Sequence, residues 1–151
     1  MATQTPTQRD PFRGFRFRVE ITGIIVAAFS EVNVPDVTVD TVDYREGTDP
    51  SFRRTLSGLT SYGRVTLKKG MTYSMDLYNW HYQVVQRGTS APNARRSASI
   101  TLLDTDGSTA AQWSLFNAWP TVYQTTGLNA SSAEVMIETL ELAIEYMKRM
   151  K

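Results

Sequence analysis

Apolar and polar residues alternate with a period of two along several stretches of the chain, most clearly between residues 95 and 123. One face carries Ala98, Ile100 and Leu102 before an Asp-Thr-Asp-Gly sequence at 104–107, and Ala111, Trp113 and Leu115 after it. Successive side chains of a strand point to opposite faces, and glycine accepts the positive φ of a tight turn. This region therefore predicts a β-hairpin with one buried face. Pro120 has no N–H to donate, so we expect an edge or a bulge there.

Three further stretches have the same pattern. Residues 15–22 and 64–71 alternate cleanly and predict single strands. Residues 29–44 also alternate, but the apolar positions change phase near Pro35. A bulge or bend at Pro35-Asp36 is the simplest explanation.

Helical spacing occurs once, between residues 74 and 87. Tyr73, Leu77, Trp80 and Val84 recur at intervals of three and four, Ser74 can act as the N-cap, and Gly88 can end the helix. His81, the only histidine, lies on this predicted helix without a second histidine to share a metal or a proton. We therefore interpret it as a structural residue.

The last segment, residues 131–151, carries two conflicting signals. Ser131 and Glu134 form a capping box and the composition favours helix, whereas Leu140, Leu142, Ile144 and Tyr146 alternate as in a strand. Local spacing leaves both possibilities open.

Residues 47–63 contain three glycines and one proline and have no usable period, which predicts a long loop. The loop is too apolar for a free linker, so it either docks onto another chain or folds back on its own core. The candidate residues for an inter-subunit interface are Phe52, Arg53, Arg54, Leu56, Leu59, Tyr62, Lys68 and Lys69. Residues 1–11 are predicted to form a flexible arm, and residues 12–151 a single domain.

Composition removes several classes of function. The chain of 151 residues has no cysteine and a net charge of +1, so disulfides and thiolate chemistry are excluded and nothing favours nucleic acid or an anionic membrane. The first ten residues lack the apolar region of a secretion signal. No phosphate-binding glycine loop, zinc motif or nucleophile motif is present. The sequence predicts no enzyme activity, no metal and no cofactor.

Several phrases together resemble the contractile phage tail-tube family, including the inner-tube proteins of extracellular contractile injection systems. They run in order from about residue 10 to 147: Asp10-Pro11-Phe12 leading into FRFRVEI at 15–21, Phe29-Ser30-Glu31-Val32, TVDYREG at 41–47, RRTLSGLTSYGRVTLKKGMT at 53–72, LYNW at 77–80, SITLLD at 99–104, WSLFNAWPTVY at 113–123 and EVMIETLELAIEYM at 134–147.

The resemblance implies a mainly β fold related to the type VI secretion tube protein. Two packed antiparallel sheets would form a distorted β-barrel with one flanking α-helix at about residues 74–87, and the last segment would be a strand. Six copies would form a hexameric ring, and rings would stack into a hollow tube that is driven out on sheath contraction. The implied partners are the chain itself, a contractile sheath protein, the baseplate or spike hub, a tail terminator, and protein cargo or DNA in the lumen.

The implied location is the bacterial cytoplasm during assembly, and then a phage virion or an extracellular contractile particle; general similarity favours an injection system over a phage tail. An alternative is a small β-barrel module that binds carbohydrate or peptide through its tryptophans. That alternative is disfavoured because Trp80 and Trp113 lie on faces predicted to be buried.

Overall fold

The computed structural model describes residues 16–24, 29–45, 47, 51, 53–127, 130–131 and 135–151. The predicted arm at 1–11 lies outside them. The described elements are β1 Arg16–Ile21, β2 Glu31–Val32, β3 Val37–Tyr44, β4 Arg54–Tyr62, β5 Val65–Gly70, α1 Asp76–Arg87, β6 Arg96–Leu103, β7 Thr109–Thr125, β8 Ile137–Ala143 and β9 Tyr146–Arg149. Within this part of the chain, no helix is both long and apolar enough to span a membrane.

Seven strands form one antiparallel sheet in the order β1-β6-β7-β8-β5-β2, with β9 also paired to β7. Strand β7 has 17 residues and pairs with β6 along its first part and with β8 along its second. The sheet therefore has two halves that share β7, and apolar side chains from both halves build one core. Its members include Val19, Ile100 and Leu115 from one half and Leu67, Leu140 and Leu142 from the other.

The predicted mainly β, antiparallel fold with one flanking helix is confirmed, but the predicted barrel is wrong because the sheet does not close. Its outer strands are β1 and β2, which do not pair with each other in the described residues. Strand β2 has only two residues, since the chain leaves the sheet at Asn33 and enters a separate two-stranded sheet formed by β3 and β4. The predicted bend near Pro35 is this change of sheet.

The central hairpin is confirmed. Strands β6 and β7 pair in antiparallel register around the turn, where the N–H of Gly107 donates to the carbonyl of Asp104 over 2.9 Å. Gly107 has a φ of +86°, which a residue with a Cβ adopts only at a cost. Pro120 is buried, and the register with β8 shifts between Pro120 and Val122, so the bulged alternative is correct.

The last segment is a strand, as the resemblance implies. Strand β8 inserts between β5 and β7, and its Leu140 and Leu142 are completely buried. The alternation of the last segment breaks at Glu145, whose N–H donates to the carbonyl of Phe116 on β7. The residue after Phe116, Asn117, has a φ of +53°. Strand β9 then continues along β7. Pairing on both edges of β8 outweighs the local helix propensity.

Helix α1 is two residues shorter than predicted. The N–H of Asp76 lies 3.4 Å from the Ser74 hydroxyl, and Gly88 follows the last turn with a φ of +70°. Leu77 and Trp80 are buried as predicted, and the Trp80 indole N–H donates to the carbonyl of Ala94 over 2.6 Å. The prediction that Tyr73 belongs to the buried stripe is wrong, since Tyr73 precedes the helix and is fully exposed.

The predicted irregular loop at 47–63 is largely wrong, because Arg54–Tyr62 forms strand β4 and pairs with β3. We call this pair of strands the ribbon. Its register shifts between Val39 and Thr41, where β4 contains one extra residue near Gly58. A Cβ on Gly58 would lie 3.1 Å from the backbone oxygen of Asp40, so a larger residue would fit only if the two strands moved apart by a few tenths of an ångström. The extra residue interrupts the alternation of β4, which is why its sequence shows no period.

Candidate assembly interface

The ribbon exposes apolar side chains on both of its faces. All residues of β3 are exposed, as are those of β4 except the half-buried Tyr62. Because side chains alternate along β3, Val37 and Val39 lie on one face and Val42 on the other, where it pairs with Leu56. Leu59 at the bulge is 80% exposed. A two-stranded ribbon without a packed face is marginally stable in water, and an exposed apolar surface of this kind is typical of a protein–protein contact site.

Most of the predicted interface residues lie on this ribbon or at its base. Arg53 is 3.8 Å from Asp43, Arg54 and Leu56 are exposed, and the Tyr62 ring packs edge-on against Tyr146 with 5.8 Å between centroids. Phe52 lies outside the described residues. The structure therefore places Arg54, Leu56 and Leu59 on the ribbon and Arg53 just before it, while the Tyr62 ring packs against Tyr146 of β9 where the ribbon meets the large sheet.

The two adjacent lysines of β5 occupy opposite faces. Lys68 lies on the solvent side, with its Nζ 3.6 Å from a carboxylate oxygen of Glu31. Lys69 points inward with Val65 and Leu67, and its Nζ is 3.6 Å from Oε2 of Glu138. The side chains of that inner pair are only 6% and 2% exposed. The subunit itself encloses Lys69, so only Lys68 remains a candidate for contact with another copy.

Glu138 is part of a buried polar cluster beneath α1. Tyr123 on β7 donates its hydroxyl hydrogen to the Glu138 carboxylate, and burial together with this hydrogen bond raises the pKa of Tyr123 to about 12. Oε2 of Glu138 has no hydrogen-bond partner among the described residues, because Lys69 is too distant to donate one. The Tyr123 ring also contacts Tyr78 and His81, with centroid separations of 5.5 and 6.2 Å. His81 thus packs as a structural residue.

Further exposed apolar residues were missed by the sequence interpretation. They are Met71, Tyr73, Met75 and Val135, which follow β5 or precede α1 and β8. Tyr73 is fully exposed and Val135 is 73% exposed. The alternation of Met71, Tyr73 and Met75 with Thr72 and Ser74 was the available signal, but helical spacing from Tyr73 concealed it.

The described residues offer little for catalysis or cofactor binding. They contain no group of three or more histidine, aspartate or glutamate side chains that could hold a metal ion. Trp80 is buried and Trp113 and Trp119 are partly buried, so these rings do not form an exposed aromatic platform. What the geometry does provide is surface for protein contacts.

Solved structures share this fold. A chain of the anti-feeding prophage baseplate, 6-fold symmetrised, is 24% identical, with a TM-score of 0.77 over 94% of this chain and 97% of that one. A chain of the sheath/tube terminator of the extracellular contractile injection system PVC is 21% identical, with a TM-score of 0.78 over 95% and 99%. Hcp1 from Flavobacterium johnsoniae is 17% identical, with a TM-score of 0.61 over 90% and 95%.

A family model adds evidence from the sequence. No curated protein sequence is significantly similar to the chain. The model of the T4-like virus tail tube protein gp19, in contrast, matches residues 13–148. Because this match spans nearly the whole chain and agrees with the shared fold, the protein belongs to the T4-like virus tail tube protein gp19 family.

Proposed function

We propose that six copies of this structural tube subunit close into a ring, and that rings stack into the hollow inner tube of a contractile tail or injection system. The observation that carries the proposal is the ribbon, a separate two-stranded sheet beside the seven-stranded one, which exposes apolar residues on both of its faces. Among the described residues, every side chain of the two strands except the half-buried Tyr62 is exposed, so we infer that another copy covers the ribbon. A tube of identical subunits supplies such a copy at every position.

The open sheet supports the closure of a ring. Strand β1 pairs with β6, and on its other edge the carbonyl of Ile21 accepts from the Ile24 N–H over 3.0 Å. Among the described strands, no other strand pairs with that edge. Unpaired strand edges promote pairing with another chain. In a ring, each such edge lies beside a neighbouring subunit, so the ring removes a liability that an isolated subunit would retain.

The titles of similar solved structures support the proposed partners. One matching chain belongs to a sheath-tube complex in the extended state, and others belong to a baseplate, a tube-terminating cap and a sheath/tube terminator. For this chain we propose contacts with a contractile sheath, a baseplate or spike hub and a terminator. The tube conducts protein cargo or DNA when the sheath contracts.

We further propose an extracellular injection particle over a phage tail, since two of the similar solved structures belong to extracellular contractile injection systems. In this proposal the tube assembles in the bacterial cytoplasm before release. The subunit has no enzymatic role in this proposal, since its work is mechanical. The alternative of a module that binds carbohydrate or peptide through exposed tryptophans is not supported, because the rings are buried or partly buried.

Electron microscopy of the purified protein tests the proposal directly. We expect six-fold rings or tubes in negative stain. A variant carrying Leu56→Ser and Leu59→Ser should keep its circular dichroism spectrum yet lose the stacked tubes, because it removes apolar surface only from the ribbon. Val85→Ser, which alters a similarly exposed residue on α1, is the matched control and should still form tubes. A monodisperse monomer of the unmodified chain at high concentration would refute the proposal.

A further inference from the structure

The seven-stranded sheet changes its pairing along one line. Strand β7 pairs with β9 before residues 117–118 and with β8 after them. Strands β8 and β9 are themselves separated by residues 144–145. The register between β6 and β7 shifts at the same level, between Arg96 and Ala98, and β1 ends at Ile21 opposite Ala98. We call the line through residues 117–118 and 144–145 the crease.

The crease divides the sheet into two halves with few backbone bonds between them. The first half consists of β1, β6, β9 and the beginning of β7, and the second consists of β2, β5, β8 and the end of β7. Among the described strands, β7 alone contributes several residues to both halves, since β6 crosses the line only with Arg96, opposite Ala118. An interrupted ladder lets a sheet bend locally, while the apolar core that both halves share keeps any change of angle small.

Asn117 gives the backbone of β7 an uncommon conformation at the crease. Its φ is +53°, in the left-handed region that a residue with a Cβ adopts only at a cost. Asparagine tolerates this region better than most residues, because its short polar side chain can form local hydrogen bonds. Such backbone conformations persist only where the surrounding contacts maintain them. At Asn117, a contact of this kind comes from the side chain of Glu145.

The Glu145 carboxylate joins three segments of chain that meet at the crease. Its Oε2 accepts from the Asn117 side-chain amide over 2.9 Å and from Nη1 of Arg95, which precedes β6, over 3.4 Å. The Glu145 N–H also donates to the carbonyl of Phe116 over 3.1 Å. The side chains of Arg95 and Glu145 are 48% and 60% exposed, so water competes for their contact. Polar contacts that can be exchanged for water, at the place where the ladders are interrupted, are what an adjustable angle requires.

From these observations we infer that the crease is a hinge between the two halves of the sheet, and that Glu145 holds this hinge at the angle of the present structure. Loss of the Glu145 carboxylate should widen the range of angles and leave each half folded. The hinge belongs to the single subunit and does not depend on assembly. One consequence rests on the proposed function: in a tube, the contacts of Glu145 make each subunit stiffer, so the tube bends less.

Distances between two spin labels test the hinge, because the natural chain has no cysteine to compete for the labels. One pair, Gln124→Cys with Lys148→Cys, spans the crease, since Lys148 lies opposite Ser114, about 33 Å of extended strand from Gln124. The other pair, Arg16→Cys with Lys148→Cys, lies within the first half, on its outer strands β1 and β9. All three labelled positions are exposed. The labelled chain is diluted with excess unlabelled chain, so that double electron–electron resonance measures only distances within one chain.

Glu20→Ala is the matched control for Glu145→Ala. Glu20 is similarly exposed, and its Oε1 lies 2.9 Å from Nε of Arg18, but both residues belong to β1 and their contact does not cross the crease. In Glu145→Ala we expect the distribution of the 124/148 distance to become roughly twice as wide, with the 16/148 distribution unchanged. In Glu20→Ala both distributions should match those of the labelled chain without a further substitution.

The outcomes decide the hinge separately from the proposed function. An unchanged 124/148 distribution in Glu145→Ala, or equal widening in Glu20→Ala, would overturn the hinge. Equal widening of the 124/148 and 16/148 distances would overturn it too, because the first half itself would then have lost its order. If the unmodified chain forms no tubes, the proposed function fails, yet the same distances still decide the hinge. Where tubes form, those of Glu145→Ala should have a shorter persistence length in cryo-electron micrographs than those of Glu20→Ala, and equal lengths would refute the consequence for the tube.

Discussion

The adjacent residues Lys68 and Lys69 allow a test of whether burial determines how strongly the loss of an ion pair lowers the free energy of unfolding. Both form ion pairs with an N–O distance of 3.6 Å, Lys68 with Glu31 and Lys69 with Glu138. They differ in exposure: the side chains of the outer pair are 40% and 69% exposed, and those of the inner pair 6% and 2%. We compare Lys69→Met with Lys68→Met, since each change removes the charge and keeps a flexible apolar side chain.

The expected magnitudes differ several-fold. Lys69→Met leaves the Glu138 carboxylate buried without a counter-charge, which costs about 3–5 kcal/mol. That cost lowers the folding equilibrium constant by roughly two to four orders of magnitude and, for a chain of this length, the melting temperature by about 6–20 °C. Lys68→Met breaks a solvated pair, which contributes about 0–1 kcal/mol.

The double variant Lys69→Met/Glu138→Leu should regain most of the lost stability. Oε2 of Glu138 makes no hydrogen bond in the described residues, so the ion pair is only partly compensated for leaving water. Replacement of such a pair by apolar residues of similar volume is often neutral or stabilising. Equilibrium denaturation in urea at a fixed subunit concentration measures all four proteins, because assembly itself adds concentration-dependent stability.

Two results would refute this reasoning. Equal losses in Lys68→Met and Lys69→Met would show that burial does not control the strength of these ion pairs. A double variant as unstable as Lys69→Met alone would show that the cost comes from lost packing at position 69, and not from the isolated carboxylate of Glu138.

Three further predictions concern single residues. Tyr123 has a folded-state pKa of about 12, above the ordinary value of 10.0, so its contribution to the free energy of unfolding is complete below pH 10 and is lost as the pH rises through 12. The difference in stability between the unmodified chain and Tyr123→Phe should therefore shrink over that window. A constant difference would contradict this. Arg96→Ala should cost about 2 kcal/mol in urea denaturation, because Arg96 donates to the carbonyls of Thr22 and Asn93, whereas no loss would exclude a role for these bonds. Gly107→Ala should cost about 1 kcal/mol because of its positive φ, and an unchanged melting temperature would show that the turn relaxes.

Local pattern by itself determined the strands whose two faces meet different environments. In β1, β5 and the β6–β7 hairpin, one face lies in the core and the other in solvent, so hydrophobicity alternates along the chain and the burial of Val19, Leu67 and Ile100 can be read from it. The bulge next to Pro120 was predictable because the proline backbone has no N–H to donate. The surface character of Leu56 and Leu59 was also predictable, since these apolar residues stand among glycines and arginines.

Only the tertiary structure decided the elements whose partners are remote in sequence. The last segment had signals for both helix and strand, and it is a strand because β5 and β7 supply hydrogen bonds on its two edges. Strand β4 has no period in its sequence because the extra residue near Gly58 interrupts the alternation and because both faces of the ribbon are exposed. Lys69 is enclosed on the inner face of β5 because Glu138, its partner on the neighbouring strand β8, is remote in sequence. Alternation records which face is buried, but it does not record which distant residue buries it or pairs with it.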